Sequence, residues 1–204
     1  MACLVLLLSV ACGKSEDVIE IYLLKKRIRS HEGIPVLDYV DLKNIPYHKN
    51  IENVKEANYD SISKEYIWGG AFEAQKTDLV PTPLIEDDEI VLLNLQRSEL
   101  QLSADGMKTI QELKPDYKYG VQFVICVDKE VCFTGYFREN HTSNIFNWNY
   151  LEYDYEQSEL KIKGHKNFVL KQNRSYFEIN PVLTNLKEYP KLVAAFRNTN
   201  RLEE

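Results

Sequence analysis

The sequence predicts one α+β domain organised on a mainly antiparallel sheet, and three features carry that expectation. Residues 99–137 read as a strand, a capped helix and two strands joined by a tight turn. Apolar runs at 18–24 and 89–95 supply further strands. Residues 187–198 place Leu192, Ala195 and Phe196 along one side of a C-terminal helix. A chain of 204 residues, 44% hydrophobic and 27% charged, is large enough for one substantial core. No internal repeat, low-complexity tract or Gly/Ser-rich linker divides it, so residues 18–204 are expected to form a single domain.

The N-terminus has a different character. Residues 2–11 (ACLVLLLSVA) are apolar apart from Ser9, and these ten residues are too few to cross a hydrocarbon layer of ~30 Å as a helix. The run ends in small residues and Cys12-Gly13, which resembles the lipobox of bacterial lipoproteins. The resemblance implies a signal peptide over 1–11, lipid attachment at Cys12 and a polar tether over 12–17. Two or three acyl chains give stable anchoring, whereas one is marginal. Glu16 and Asp17 form an acidic pair similar to the export signals of surface lipoproteins in Bacteroidota. The implied setting is the bacterial cell envelope, facing the periplasm or exposed at the surface, with the membrane as a partner through the lipid. The plain alternative is an interior strand or helix that contains two cysteines.

Within the domain, VIEIYLL at 18–24 puts Ile19, Ile21 and Leu23 on one face of a first strand. Residues 36–85 are punctuated by Pro46, Pro81, Pro83 and Trp68-Gly69-Gly70 and read as an irregular insertion. Part of it must be ordered against the core, because compact domains rarely hold so long a structureless segment. EIVLLNL at 89–95 is the next strand, and Leu100 and Leu102 then alternate with Glu99 and Gln101. Ser103 stands at a helix N-cap position, with Asp105 in the first turn and Met107, Ile110 and Leu113 forming a narrow stripe before Pro115. Residues 121–127 are nearly all apolar, the pattern of a central strand covered on both faces. Asp128, Lys129 and Glu130 turn the chain, and 131–137 return. Residues 145–153 alternate Phe146, Trp148 and Tyr150 with Asn147 and Asn149, and short strands at 160–162 and 168–170 flank Gly164.

The run 90–137 resembles the periplasmic head region of the protein-export membrane protein SecD family. Leu102-Ser103-Ala104-Asp105-Gly106, Gly120-Val121-Gln122-Phe123-Val124-Ile125 and Val127-Asp128 sit where that family has its helix start, its central strand and its hairpin. The same stretch, continued through Phe133-Thr134-Gly135-Tyr136-Phe137, is similar to small uncharacterised bacterial lipoproteins with such a head-like domain. The likeness covers about a quarter of the chain and rests on structural turns, so it implies a β-α-β-β unit and speaks to fold alone. The family's membrane helices are not matched, and Thr134-Gly135-Tyr136 replaces its Ser-Ala-Pro segment.

Charge and motif content narrow the chemistry. A net charge of −6 without a basic cluster argues against nucleic acid as a partner, since phosphate attraction needs a basic face. No GxSxG, HExxH, Walker or GxGxxG motif is present, and His31, His48, His141 and His165 lack ligand-spaced partners. No catalytic residue, metal site or cofactor is therefore expected. Glu139 and His141, beside Arg138, are of the right type for acid/base work, and decoration of a surface loop is the plainer reading. Cys126 and Cys132 remain as an even pair. A three-residue loop at 128–130 would set them opposite one another as a candidate disulfide. A two-residue loop at Lys129 and Glu130 would pair Cys126 with Phe133 and send the thiols to opposite faces. Their apolar surroundings favour free thiols.

The aromatic row is the sharpest binding candidate. Asn147 and Asn149 on the alternate face make Phe146, Trp148 and Tyr150 the core side of a strand. Turned outward, the same row would stack on a sugar or peptide, with Asn147 and Asn149 supplying hydrogen bonds. Asp60-Ser61-Ile62 matches the short pattern of O-glycosylation in Bacteroidota envelope proteins, which makes Ser61 a candidate acceptor. The expectation is a lipid-anchored envelope protein of non-catalytic binding type, its partner an envelope protein or a glycan. The alternatives are a carbohydrate- or peptide-binding module using the aromatic strand, and a hydrolase with its site in 36–85.

Overall fold

The computed structural model describes residues 17–38, 54–62, 64–113, 119–139, 146–153, 166–172 and 182–204. In chain order the strands before the first helix are β1 (Ile19–Leu23), β2 (Ile34–Pro35), β3 (Asn58–Asp60), β4 (Glu65–Ile67), β5 (Ile90–Asn94) and β6 (Glu99–Leu102). Helix α1 (Ala104–Glu112) leads to β7 (Val121–Val127), β8 (Glu130–Glu139), β9 (Asn149–Tyr153), β10 (Lys166–Gln172) and β11 (Val182–Leu183). Helix α2 (Pro190–Asn198) and β12 (Leu202–Glu203) end the chain. Among the described residues, nine strands make one sheet in the order β1-β7-β8-β9-β10-β6-β5-β12, with β11 beside β10, and β2-β3-β4 make a small second sheet. Among the described strands, the β8–β9 and β12–β5 pairings are parallel and the others antiparallel. The architecture is the α+β one expected, mainly antiparallel, with a C-terminal helix.

The β6-α1-β7-β8 succession matches the sequence reading, with one refinement. β6 is not a neighbour of β7 in the sheet; it pairs with β5 and β10, while β7 pairs with β1 and β8. Helix α1 therefore connects two wings of one sheet. Its start is capped as the sequence requires, since the Ser103 hydroxyl accepts the Gly106 N–H at 3.1 Å. Met107 and Ile110 are buried and Leu113 packs partly against them.

β7 is apolar at successive positions because it is covered on both faces. Phe123, Ile125 and Val127 join Leu93, Leu100, Leu102, Met107, Ile110, Leu192 and Phe196 in the main core. Val124 and Cys126 point the other way, against Tyr22 and Leu79. Gly135, opposite Phe123, leaves room for that ring, since a Cβ there would lie 2.9 Å from Phe123 Cζ. The ring stacks on Phe137 at 4.3 Å between centroids. After α2 the chain is clamped by Arg201, whose guanidinium donates to the Asp87 and Ile90 carbonyls at 2.8 and 3.0 Å and to Asp87 Oδ1 at 2.6 Å. The same Asp87 oxygen accepts the Ile19 N–H at 2.7 Å, tying the C-terminus to β1.

The segment 36–85 is more regular than expected in its described residues. The small sheet has its own cluster of Val36, Val54, Ala57, Tyr59 and Tyr119, with Tyr66 and Trp68 packed against it. The chain then runs back over the outer face of the large sheet, bridging Leu79 to Leu24 and Ile85 to Ile21 and setting Phe72 edge-on to Tyr136 at 5.3 Å.

Several expectations need adjustment. The strand expected over 145–153 begins only at Asn149, because Phe146 bridges to Gly69 and the chain bends at 147 and 148. A Cβ on Gly69 would overlap the Phe146 ring, which is why glycine stands there. The hairpin turn contains Asp128 and Lys129 alone, both left-handed with φ of 53° and 62°, and Val127 pairs with Glu130. Cys132 is then the extra residue of a bulge, since Cys126 pairs with Val131 and Ile125 with Phe133. The short strand expected at 168–170 falls within β10, while 160–162 lies outside the described residues. Residues 1–16, with Cys12, lie outside them too, as do Pro115, His48, His141 and His165.

Candidate functional site

A groove of about 400 Å³ lies beside the first half of β8. Its floor is Val131, Cys132, Phe133 and Thr134, one wall is Ala71 to Ala74, and Trp148, Tyr189 and His31 complete the lining. Chain topology explains why space exists here. β8 pairs with β7 from Glu130 to Phe137, but its parallel pairing with β9 begins only at Tyr136. Among the described residues no strand lies against the outer edge of Val131–Gly135.

Asn149 sits where that missing strand would begin. It is 0% exposed, and its amide donates to the Thr134 carbonyl at 3.1 Å and to the Tyr189 hydroxyl at 2.6 Å. Its Oδ1 accepts from the Thr184 hydroxyl at 3.4 Å. A side-chain amide thus completes the strand edge at one point and braces the tyrosine wall at another. The Tyr189 hydroxyl is held neutral, its pKa raised by burial and only partly offset by the bond from Asn149. Its ring lies 4.7 Å from that of Phe133.

The aromatic row divides between core and groove. Phe146 and Tyr150 are 0% and 1% exposed, packed with Phe72 and Tyr136 and covered by Arg138 at 5.6 and 5.1 Å from their ring centroids. Trp148 is half-buried, lines the groove and donates its indole N–H to Thr134 Oγ1 at 2.9 Å. That hydroxyl in turn donates to the Phe72 carbonyl at 3.2 Å, which couples the indole to the opposite wall. Asn147 is half-buried and holds Gly69 through its backbone N–H at 2.8 Å. The alternation rule misplaced Asn149: it expected a solvated polar face, whereas a sheet covered on both sides buries the asparagine too.

Among the described residues, the titratable ones that line the groove are His31, Glu73, Cys132 and Tyr189. Cys132 is a free thiol whose pKa is raised by burial, and it donates to the Glu130 carbonyl at 3.2 Å. Cys126 is also free, pushed up to about 12 by burial. Cys126 packs with Tyr22 and Leu79 on the outer face, whereas Cys132 packs on the main core, so the bulge separates the two thiols. Neither is the low-pKa thiolate that nucleophilic chemistry uses. Just behind the wall, Glu32 has a carboxylate oxygen buried without a partner. Burial raises its pKa, against the pull of the Ala71 N–H and His31.

The other sequence candidates lie apart from this groove. Ser61 is exposed at the β3–β4 turn beside Ile62, which is 92% exposed, and Asp60 Oδ1 accepts the Ile62 N–H at 2.9 Å. Glu139 ends β8, and its supposed partner His141 is outside the described residues. Asp17 accepts from Asn198 at 2.9 Å, so the tether expected over 12–17 would leave the domain beside the end of α2. Among the described residues no helix is long and apolar enough to cross a membrane, and no cluster of three metal-ligating side chains occurs. The groove residues that sequence reasoning missed are Tyr189, Thr134, His31 and the 71–74 wall. Trp68-Gly69-Gly70 was the available signal, since two adjacent residues without side chains mark a close backbone approach. In comparisons with known proteins, no family model, no curated protein and no solved structure matches this chain.

Proposed function

We propose that this chain is a lipid-anchored cell-envelope protein of non-catalytic binding type, which takes its ligand in the groove beside Trp148. The observation that carries the proposal is the division of the aromatic row: Phe146 and Tyr150 are buried as core, while Trp148 is left half-buried at the groove with its indole N–H fixed by Thr134. An indole held in a fixed orientation at the groove is a preorganised surface for an apolar or π-bearing ligand group. The raised thiol of Cys132 fits a binding wall better than a nucleophile. The lipobox-like run ending at Cys12 supports placement in the envelope, with the membrane engaged through acyl chains.

Two measurements test the reading. The intact mass of protein from the membrane fraction should correspond to a chain beginning at Cys12 plus acyl groups; a chain retaining 1–11 and no acyl mass would remove the anchor. Trp148 fluorescence, read in a Trp68→Phe background, should respond to the ligand class that binds. An indole inert to both peptide and oligosaccharide panels would remove the groove as the site.

A further inference from the structure

We infer that the ligand is an extended peptide segment, held as an added strand along the edge of β8 that no strand among the described residues covers. The inference rests on the groove being the binding site and names the chemistry its floor would recognise. Two hydrogen bonds establish which main-chain groups face the groove. The Asp128 N–H donates to the Val18 carbonyl at 2.9 Å, so even-numbered residues of β7 turn toward β1 and odd-numbered ones toward β8. Val124, opposite Thr134, and Cys126, opposite Val131, are thus the pairs whose partners on β8 turn their backbone groups away from β7. The bond from Asn149 to the Thr134 carbonyl gives the same direction independently. The N–H and C=O of Val131 and the N–H of Thr134 consequently face the groove, while the Thr134 C=O is satisfied there by Asn149.

Such a floor selects for a peptide backbone. Main-chain donors and acceptors on an open strand edge are matched by another strand's own alternating N–H and C=O groups. A sugar has hydroxyls to offer but no such repeat. The flanks fit the same occupant: Tyr189 stands on the inner side, Ala71 to Ala74 on the outer side, and Trp148 at the end. A strand laid between them would direct successive side chains to opposite walls. Its apolar positions would contact Trp148 and Tyr189, the partly exposed aromatic members of the lining. The bulge at Cys132 breaks the regular edge and so limits pairing to a short segment, which disfavours indefinite strand addition between copies of the chain.

The test uses the purified full chain and short random peptides displayed on phage, with selected sequences then synthesised. A bound peptide should slow amide exchange at Val131 by about tenfold or more and perturb Trp148 fluorescence. The same peptide N-methylated at alternate residues should bind at least ~10-fold more weakly on one of its two phases, because methylation removes the donors that face Val131. Val131→Pro, which deletes a donor that β7 does not use, should give a similar loss; the N-methylated probe decides the matter if that variant misfolds. Equal affinity for both methylation phases, or binding without protection of Val131, overturns the peptide inference. Oligosaccharides that quench Trp148 while no peptide binds would overturn it as well, yet leave the groove reading intact. Silence of Trp148 toward both classes would overturn the groove reading itself.

Discussion

β7 and β8 are arms of one hairpin, joined by two residues, and they differ in what lies beyond them. β7 has a strand on each side and apolar cover on each face, so every position from Phe123 to Val127 is buried. β8 has the same neighbour on one side but meets β9 only from Tyr136 onward, and Val131 and Cys132 remain half-buried. Pairing is only part of this difference, since Phe133 and Thr134 are buried by packing although no described strand pairs with them on that edge. Val-Cys-Phe-Thr at the start of β8 is nearly as apolar as β7, yet it borders a groove.

The contrast between the two arms should be largest in the core. Phe123→Ala removes a fully buried ring stacked on Phe137 and should lower unfolding free energy by ~3–5 kcal/mol in denaturant titrations. Val131→Thr, on the other arm, should change it by less than ~0.5 kcal/mol. Comparable losses at both positions would mean that the β8 edge is as tightly held as β7.

A finer probe is the point where the two situations meet. Asn149→Ala leaves the Thr134 carbonyl and the Tyr189 hydroxyl without their donor and should cost ~1–3 kcal/mol. It should also loosen the tyrosine wall, seen as faster nitration of Tyr189 in peptide mapping. An unchanged midpoint would show that water replaces the amide without loss.

A modest gain is expected in the groove's outer support. Glu32 has a raised pKa in the folded chain, so folding favours its protonated form. Its penalty is absent below the ordinary carboxylate range and grows as pH rises through the folded value. Glu32→Gln should therefore gain stability at neutral pH, by at most ~1 kcal/mol for a half-buried group, and should flatten the dependence between mildly acidic and neutral pH. A variant less stable than the parent at neutral pH would contradict this.

Much of the fold was legible because its signals are local. Ser103, Asp105 and the Met107–Ile110–Leu113 stripe specify α1 within a few residues, and the run Val121–Val127 announces a strand covered twice. The groove was not legible because it is made by what the topology leaves out. Nothing in Val131 to Thr134 records that β9 starts its pairing further along, at Tyr136. Trp148 was singled out for its chemistry, but the alternation rule placed it in the core together with Phe146 and Tyr150. The bend at 147 and 148, forced by Phe146 entering the space above Gly69, is what turned it to the groove. Tyr189 comes from 40 residues beyond Asn149 and could be joined to it only by the folded chain.

The openness of the β8 edge can be read from native-state amide exchange of the unliganded protein. The amides of Phe123 and Ile125 should exchange only through global unfolding, while the Val131 amide, facing an open edge, should exchange orders of magnitude faster. Protection of Val131 equal to that of β7 would contradict the account, since it would place a hydrogen-bond partner on an edge that has to be vacant for a peptide to pair there.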